Sequence, residues 1–253
     1  DELGELARTF DEMLASLDAA HGLQQRFVAD ASHELRTPLA TIQGNAEILD
    51  AAEASPEERA EAMTQIRRES GRLARLVDDL LVLARADAGA EPLRAQEVPL
   101  DEVLMEAFEE LRPAAGRRLR VTALEGAIVR GERDRLKQLA LILLDNALRY
   151  TPGDGQVEVA LSVEGGSAVV RIDDEGVGVT PVVVARAFER FYRGEDARRI
   201  DPSGTGLGLP IARWIVERHG GAIELAAGPT RGTRVLVRIP VSGGARTAAV
   251  RAG

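Results

Sequence analysis

Apolar residues near the start of the chain recur in alternating steps of three and four. This spacing puts them on one face of a helix in a heptad pattern, which favours a coiled coil over residues 1–20. A pattern of only two to three heptads is also typical of an amphipathic helix that packs on its own domain. The apolar positions are Leu3, Leu6, Phe10, Met13 and Leu17.

The next seventy residues or so predict two long helices. Residues 21–52 form the first, Ser55 is a plausible N-cap for the second, and Pro56 takes its first helical position. Two antiparallel helices with one apolar face each make half of a bundle. A second copy of the chain is therefore expected to complete a homodimeric four-helix bundle over residues 21–90. The apolar positions are Leu23, Phe27, Leu35, Leu39, Ile42, Ala46 and Leu49, then Met63, Ile66, Leu73, Leu76, Leu80 and Leu83.

The pattern changes after residues 89–92, which are predicted to be a linker. Short alternating runs predict strands, and helical segments lie between them. This order is typical of an α/β (α+β) sandwich, one mixed sheet covered by a few helices, here over residues 91–241. Residues 242–253 are rich in Gly, Ala and Arg and predict a disordered tail. The predicted strands are Gln156–Val163, Ala168–Asp173, Ala222–Ala226 and Thr233–Pro240, and the predicted helices are 101–114, 132–150 and 206–219.

The amino-acid composition is that of a globular protein and excludes several kinds of site and partner. The chain has 253 residues, of which 45% are hydrophobic and 29% charged, as in ordinary globular proteins. It contains no Cys, which excludes disulfides and thiolate metal sites. A net charge of −9 disfavours nucleic acid as a partner, because that binding needs an excess of Lys and Arg. No run approaches the roughly 18 apolar residues that would span a bilayer, so we expect this fragment to be soluble.

A first candidate for ligand chemistry follows the predicted strand that ends at Asp173. The carboxylate of Asp174 can accept a hydrogen bond from an exocyclic amine, and Gly176 and Gly178 allow backbone to approach a ligand closely. Taken alone this spacing is a weak signal, and a strand-ending turn is the more common explanation.

A second glycine-rich run opens the predicted helix 206–219. Its backbone N–H groups, together with the positive end of the helix, can form a phosphate cradle. It is not a Walker loop, because the following Lys-Ser/Thr is missing, and it does not open a βαβ unit. The run is Ser203-Gly204-Thr205-Gly206-Leu207-Gly208-Leu209.

Asn146, on the predicted helix 132–150, is a candidate metal ligand. Its amide oxygen suits Mg²⁺, a hard cation that takes oxygen ligands alongside phosphates. A buried or capping Asn is the alternative interpretation.

The segment of residues 32–39, Ser-His-Glu-Leu-Arg-Thr-Pro-Leu, places an imidazole beside a carboxylate on a helix. Glu34 lies about 100° round the helix from His33 and can take up the second ring proton as charge develops. Thr37 lies one turn after His33 on the same face of the helix, so its hydroxyl can reach the same space as the imidazole. The alternative is that Thr37 only satisfies a backbone group near Pro38, which has no N–H.

The two remaining histidines have less context. His219 is in the last turn of a predicted helix, where a positive charge is favoured, so a capping role is expected rather than chemistry. His21 lies beside Gly22 at an expected helix junction.

Residues 32–39 closely resemble the phosphoacceptor box of bacterial sensor histidine kinases. The segments around Asn146, Asp174 and residues 203–209 resemble, in this order and spacing, the N, G1 and G2 boxes of the GHKL ATPase fold. Phe188-Glu-Arg-Phe-Tyr-Arg193 resembles the F box, and Gly232-Thr-Arg-Val the last glycine element. Residues 1–6 resemble the end of a HAMP relay helix.

The resemblance implies ATP and Mg²⁺ as cofactors. Asn146 would coordinate the Mg²⁺, Asp174 would read the adenine amino group, and the G2 glycines would hinge a lid over the phosphates. The residues expected to contact nucleotide are Asn146, Arg149, Tyr150, Asp174, Gly176, Gly178, Gly204, Thr205, Gly206, Leu207 and Gly208.

The resemblance also implies a function. The chain would be an ATP-dependent protein-histidine kinase that autophosphorylates His33, with Glu34 as general base, and passes the phosphoryl group to an aspartate of a response regulator receiver domain. In related kinases a residue at the position of Thr37 orients water, which makes phosphatase activity a further expectation. The chain would be the cytoplasmic portion of a membrane receptor, whose upstream sensor segment is absent here.

One residue departs from the family pattern. Where the family often has an Asn four residues before Asn146, this chain has Ile142, which predicts weaker ATP binding. Two rival interpretations remain open. A GHKL ATPase or serine kinase would use the same pocket without His33, and a pseudokinase scaffold would need no nucleotide.

Overall fold

The computed structural model describes residues 2–87, 93–229, 231–242 and 246–250. The chain divides into two compact units, a helical unit (residues 1–80) and a sheet unit (residues 81–253). The predicted linker at residues 89–92 lies outside the described residues.

The helical unit contains a helical hairpin, in which α1 (Glu2–Asp50) is followed by α2 (Pro56–Asp87). The expected junction at His21 and Gly22 is wrong, because α1 runs through it without a break. A single glycine costs a helix only about 1 kcal/mol, and that is too little to end one this long. Coiled-coil pairing by residues 1–20 is untested in a single chain and stays a prediction.

The turn between the two helices has a capping box. The Ser55 hydroxyl accepts from the Glu58 N–H at 3.2 Å, and the Glu58 carboxylate accepts from the Ser55 N–H at 2.7 Å. This confirms the predicted N-cap. Arg59 then donates to the carbonyls of Leu49, Ala51 and Ala54 at 2.5 to 3.2 Å, which satisfies the end of α1 and fixes the turn.

Several large apolar side chains of the hairpin are exposed in the single chain. They lie along both helices, as a surface that pairs with further helices would require. They are Val28, Leu39, Ile48, Met63 and Val77.

The sheet unit has one mixed sheet, in the order β6-β7-β5-β4-β2-β8, and a separate antiparallel pair of β1 with β3. Strand β2 runs parallel to β4, and the other neighbouring strands of the sheet are antiparallel. The strands are β1 (Gln96–Pro99), β2 (Leu119–Gly126), β3 (Ile128–Gly131), β4 (Val157–Glu164), β5 (Ser167–Asp174), β6 (Ala222–Ala227), β7 (Thr233–Pro240) and β8 (Arg246–Val250).

Helices pack against this sheet through aliphatic side chains. Helix α4 contacts both α3 and α7, and it also contacts β5. The helices are α3 (Leu100–Ala115), α4 (Arg133–Tyr150), α5 (Pro181–Arg186), α6 (Glu195–Ile200) and α7 (Gly208–Arg218). Fully buried members of the core include Leu136, Leu144, Leu161, Ile172, Leu207, Ile211, Ile215 and Ile239.

The predicted strands and helices of this unit are confirmed to within about two residues, whereas β1, β2, β3 and the short helices α5 and α6 were not predicted. In β2 the register against β4 shifts between Val121 and Ala123, and this irregularity interrupts the alternation that marks a strand. The predicted disordered tail differs as well, because β8 pairs with β2, with Val250 opposite Leu124. The open edge of β2 offers unpaired backbone groups to an extended segment.

His219 ends α7 and is buried. Its Nδ1 lies 2.6 Å from the Ile215 carbonyl, and its Nε2 accepts from the Glu132 N–H at 3.1 Å, so Nδ1 carries the proton and the ring is neutral. Burial lowers the pKa of His219 below its ordinary value. The expected capping role is confirmed, because the ring bonds the Ile215 carbonyl near the end of α7, but it does so as a neutral ring rather than as a positive charge.

This lowered pKa predicts an acid-sensitive sheet unit. Since the unfolded chain binds a proton that folded His219 excludes, the free energy of unfolding falls as pH drops below about 6.5. We expect His219→Gln to lose part of this dependence. Thermal melting at pH 7.5 and 5.5 measures it, with His21→Gln in the helical unit as control. Equal acid sensitivity of wild type and His219→Gln would contradict the prediction.

Candidate active site

Asp174 lies at the end of β5 with its side chain buried. Its Oδ1 accepts from the Gly176 N–H at 2.8 Å and from the Thr233 N–H at 3.1 Å. Burial raises the pKa of this carboxyl, and the two backbone hydrogen bonds oppose the rise. The carboxylate is thus held in one orientation by backbone, as a group that reads a ligand must be.

Close backbone approach around Asp174 requires glycine. A Cβ on Gly176 would lie 2.5 Å from the Tyr150 carbonyl oxygen and 2.6 Å from Asp174 Oδ1. A Cβ on Gly232 would overlap the carbonyl oxygen of Asp174, and Gly232 has φ of 75°. The Val177 N–H donates to the Tyr150 carbonyl at 3.3 Å. These contacts tie the end of α4 to the loop after β5 through the backbone carbonyl of Tyr150.

Asn146 faces the start of α7. A Cβ added to Gly208, the first residue of α7, would lie 3.8 Å from Asn146 Nδ2 and 3.3 Å from Ile142 Cγ2. The structure therefore brings the amide on α4 next to a helix N-terminus, where unpaired N–H groups and the helix dipole favour anions. Ile142 occupies the same junction with an apolar side chain.

The segment between α6 and α7, residues 201–207, is here called the lid segment. Asp201 accepts from Arg149 Nη1 at 2.6 Å and from the Ser203 hydroxyl at 2.5 Å, while Arg149 Nη2 also bonds Asp145 at 2.6 Å. Burial of Asp201 would raise its pKa, yet these hydrogen bonds outweigh it and lower the pKa. Arg149 thus links α4 to the lid segment rather than standing free for a ligand.

Arg193, the last residue of the segment that resembles the F box, hydrogen-bonds to the backbone of α6 and of the lid segment. Its guanidinium donates to the carbonyls of Gly204 at 2.7 Å and Ala197 at 2.8 Å, and also to that of Asp201. The Phe191 N–H donates to the Gly206 carbonyl at 3.1 Å, and Phe191 has a positive φ of 60°. A half-buried guanidinium that donates to several carbonyls gives this loop a defined shape without regular secondary structure.

The remaining G2 residues complete the lid segment. Gly206 has φ of 71°, and a Cβ there would lie 2.8 Å from Phe191 backbone. The Leu207 N–H points at the Thr205 hydroxyl at 3.4 Å, and the Leu207 side chain is fully buried. Leu207 therefore anchors the end of the lid segment in the core, while Thr205 shapes its backbone. Gly178, in the loop after β5, has φ of 76° and packs against Gly232, the residue before β7.

His33 lies on α1 of the helical unit with its ring exposed. Thr37 is also exposed one turn later, and its hydroxyl donates weakly to the His33 carbonyl at 3.5 Å. Glu34 is half-buried and lies 3.5 Å from Arg72 of α2. The imidazole is thus exposed to solvent, and the neighbouring carboxylate pairs with an arginine of the second helix.

Family models match both units. Residues 23–89 match the His Kinase A (phospho-acceptor) domain, and residues 131–243 match the histidine kinase-, DNA gyrase B-, and HSP90-like ATPase domain. The ATPase domain implies ATP binding. The helical hairpin and the α/β sandwich of the GHKL type agree with this pair of domains.

The chain belongs to the sensor histidine kinase family. It is 32% identical to a solved chain of the mycobacterial sensor histidine kinase MprB, covering 100% of that chain and 59% of this one with a TM-score of 0.54. It is 37% identical over 246 residues to the signal transduction histidine-protein kinase BaeS of Escherichia coli (strain K12), covering 95% of this chain and 52% of BaeS. The chain spans about half the length of the curated relatives it matches.

A further solved structure resembles most of the chain. This is ShkA, full-length and in complex with AMPPNP, with 26% identity, a TM-score of 0.59, and coverage of 87% of this chain and 46% of ShkA. Among the described helices, none is both long and apolar enough to cross a membrane.

Sequence reasoning named most of the candidate residues described above but missed three residues that hold candidate groups in place. Asp201 and Arg72 stand outside every motif, and Arg193 was noted only as part of a resemblance. A carboxylate three residues before the first lid glycine, Gly204, was the available signal for Asp201. Arg72 gave no local signal, since its partner Glu34 is far away in the sequence.

Ile142 leads to a prediction at the junction of α4 with the start of α7. Replacing it by Asn adds an amide beside the start of α7, and one added hydrogen bond of about 0.5–1.5 kcal/mol corresponds to ATP binding roughly two- to tenfold tighter. Equilibrium titration with ATP and Mg²⁺ measures this. Ile142→Val keeps the apolar contact and serves as control. Binding by Ile142→Asn no tighter than by Ile142→Val would contradict the prediction.

Proposed function

We propose that the chain is an ATP- and Mg²⁺-dependent protein-histidine kinase that autophosphorylates His33 and passes the phosphoryl group to an aspartate of a response regulator receiver domain. The observation that carries the proposal is the presence in one chain of an exposed imidazole beside Glu34 and of a buried, backbone-held Asp174 among glycines. In this proposal the imidazole of His33 accepts the phosphoryl group, and Asp174 with its surrounding glycines binds the nucleotide.

The pocket fits ATP at both ends. Asp174 offers a carboxylate to the adenine amino group, and the close backbone approach at Gly176 and Gly232 fixes the loops that hold this carboxylate. The N-terminus of α7 suits the phosphates. Arg149 would reach them after exchanging its partner Asp201 for phosphate oxygen.

Asn146 supports the metal part of the proposal. Mg²⁺ takes few protein ligands and completes its shell with phosphate oxygens and water, and it neutralises phosphate charge when bound. Among the described residues no cluster of three or more His, Asp or Glu side chains could hold a metal ion by itself. The amide of Asn146, at the junction of α4 and α7, would therefore act together with the nucleotide.

The proposed reaction at His33 is the transfer of the γ-phosphoryl group of ATP to a ring nitrogen. A ring nitrogen attacks the γ-phosphorus of ATP, the bond from that phosphorus to the ADP oxygen breaks, and the proton on the other ring nitrogen passes to Glu34. Positioning and charge neutralisation supply most of the rate in such transfers. In the second transfer, the receiver aspartate attacks the same phosphorus and the His33 nitrogen leaves.

A homodimer is the proposed assembly. The His Kinase A domain and the exposed apolar side chains along α1 and α2 support it, because a second hairpin would cover them. A signal arriving through the start of α1 would act on this bundle, as the HAMP resemblance implies for a receptor with its sensor at a membrane.

Phosphatase action on the receiver domain is a second proposed activity. Thr37 is exposed on the same face as His33, where its hydroxyl could orient a water molecule. Its weak bond to the His33 carbonyl leaves the hydroxyl oxygen available as an acceptor.

Labelling with γ-labelled ATP tests the main proposal. We expect the dimeric protein to incorporate label that survives alkali and is lost in acid, as a phosphoramidate is. Label that survives acid would instead indicate a serine kinase. Absence of both labelling and ATP binding would indicate a scaffold without catalysis.

A further inference from the structure

One guanidinium in the helical unit serves two carboxylates. Arg72 Nη2 lies 3.5 Å from Glu34 Oε2, across the hairpin, and Arg72 Nη1 lies 3.7 Å from Glu69 Oε2 on its own helix. The side chains of Arg72 and Glu69 are only 15% and 14% exposed, and that of Glu34 is 33% exposed. This is a partly buried ionic cluster beside the phosphoacceptor segment.

The cluster is incompletely satisfied. Glu69 Oε2 and Arg72 Nε are buried and have no hydrogen-bond partner among the residues that the structure describes. Both ion-pair distances exceed those of a good hydrogen bond. Because one cation is shared between two anions, it is held tightly by neither, and a small shift would give Glu34 a close partner.

An ionic cluster of this kind is not expected to add much to the free energy of unfolding. Partly buried ion pairs gain little net free energy, and apolar residues of similar size often replace them without loss. The pairing of Arg72 with Glu34 instead affects the side chain next to the proposed acceptor His33. It restricts the rotamers of Glu34, the side chain that follows His33, whereas His33 itself stays exposed.

We propose that Arg72 is a positioning residue for autophosphorylation. By pairing with Glu34 from α2, it holds this carboxylate where it can take the second ring proton of His33 as the phosphoryl group arrives. Glu69 competes for the same guanidinium and weakens that hold. This inference rests on the proposed function, since it needs His33 as acceptor and Glu34 as base.

Autophosphorylation of the whole chain with ATP and Mg²⁺ tests the inference. We expect Arg72→Met to lower the rate constant at saturating ATP about tenfold, because misplacing a general base forfeits part of the 10²–10⁴-fold it supplies. The KM for ATP should stay within about twofold of wild type, since nucleotide binds in the sheet unit. Arg72→Lys keeps a cation and should restore most of the rate.

Two further variants separate positioning from folding. Arg68→Met changes an exposed arginine of the same helix and should leave the rate unchanged. Glu69→Gln removes the competitor, so its rate should equal or exceed that of wild type. Thermal melting of each variant reports whether the helices remain folded.

The outcomes are distinct. A folded Arg72→Met that labels His33 at the wild-type rate overturns the inference while the proposed function stands. Equal losses of rate in Arg72→Met and Glu69→Gln would show that the cluster only supports the fold, and would also overturn it. If the wild-type chain does not label His33 at all, the proposed function fails and this inference fails with it.

Discussion

Replacing His33 by Gln is expected to abolish incorporation of phosphate from ATP, by at least ~10³-fold. A glutamine amide keeps the size and polarity of the side chain but has no nucleophilic nitrogen, and loss of a nucleophile removes its pathway rather than slowing it. His33 is exposed on α1, so the substitution should leave the hairpin intact. Acid-labile label per chain is the measurement.

The chain supplies its own control for this experiment. His21 is also an exposed histidine of α1, and His21→Gln should label as wild type does. ATP titration of His33→Gln should give wild-type affinity, because the pocket residues lie in the sheet unit. Label that persists in His33→Gln would mean that a different residue is the acceptor and would favour the serine kinase interpretation.

The second large effect is expected at Asp174. In Asp174→Asn the amide oxygen can still accept from the Gly176 and Thr233 N–H groups, so the loop should keep its shape. The amide nitrogen then stands where a carboxylate oxygen would face the adenine amine, and two donors oppose each other. A site built around one hydrogen bond discriminates strongly against its loss, so we expect at least ~100-fold weaker ATP binding.

Asp173 provides the matched control. It precedes Asp174 on β5 and points to the other face of the sheet, where it pairs with Arg234 at 2.5 and 2.9 Å. Asp173→Asn makes the same chemical change outside the pocket and should bind ATP as wild type does. Calorimetric titration compares the two variants. Similar ATP affinity in Asp174→Asn and wild type would show that the adenine site lies elsewhere.

Much of the fold was predictable because it follows from neighbours in the chain. The capping box joins Ser55 to Glu58, three residues apart, and the turn after α7 depends on Gly220 with φ of 67°. Strands β4, β5 and β7 were predictable from short alternating runs, and β4 and β5 pair along their whole length. Patterns of this range are visible in sequence because each residue acts on others one or two turns away.

Other elements could not be predicted because their partners are distant. Strand β8 exists through pairing with β2, more than a hundred residues earlier, and its own composition is that of a disordered segment. The neutral ring of His219 depends on the Glu132 N–H, 87 residues away. In each case burial or pairing overrides what the local sequence favours.

The amino-acid sequence by itself determined the family to which the chain belongs and the residues on which the proposed chemistry depends: the proposed acceptor His33 with its neighbour Glu34, and the proposed pocket around Asp174 and Asn146. Tertiary structure alone decided how these groups are held. It placed Thr233 on Asp174, Asp201 on Arg149 and Arg72 on Glu34, pairs that are 59, 52 and 38 residues apart. The reason is physical: a motif records which groups must be present, whereas burial and charge pairing between distant segments arise only after the chain has folded.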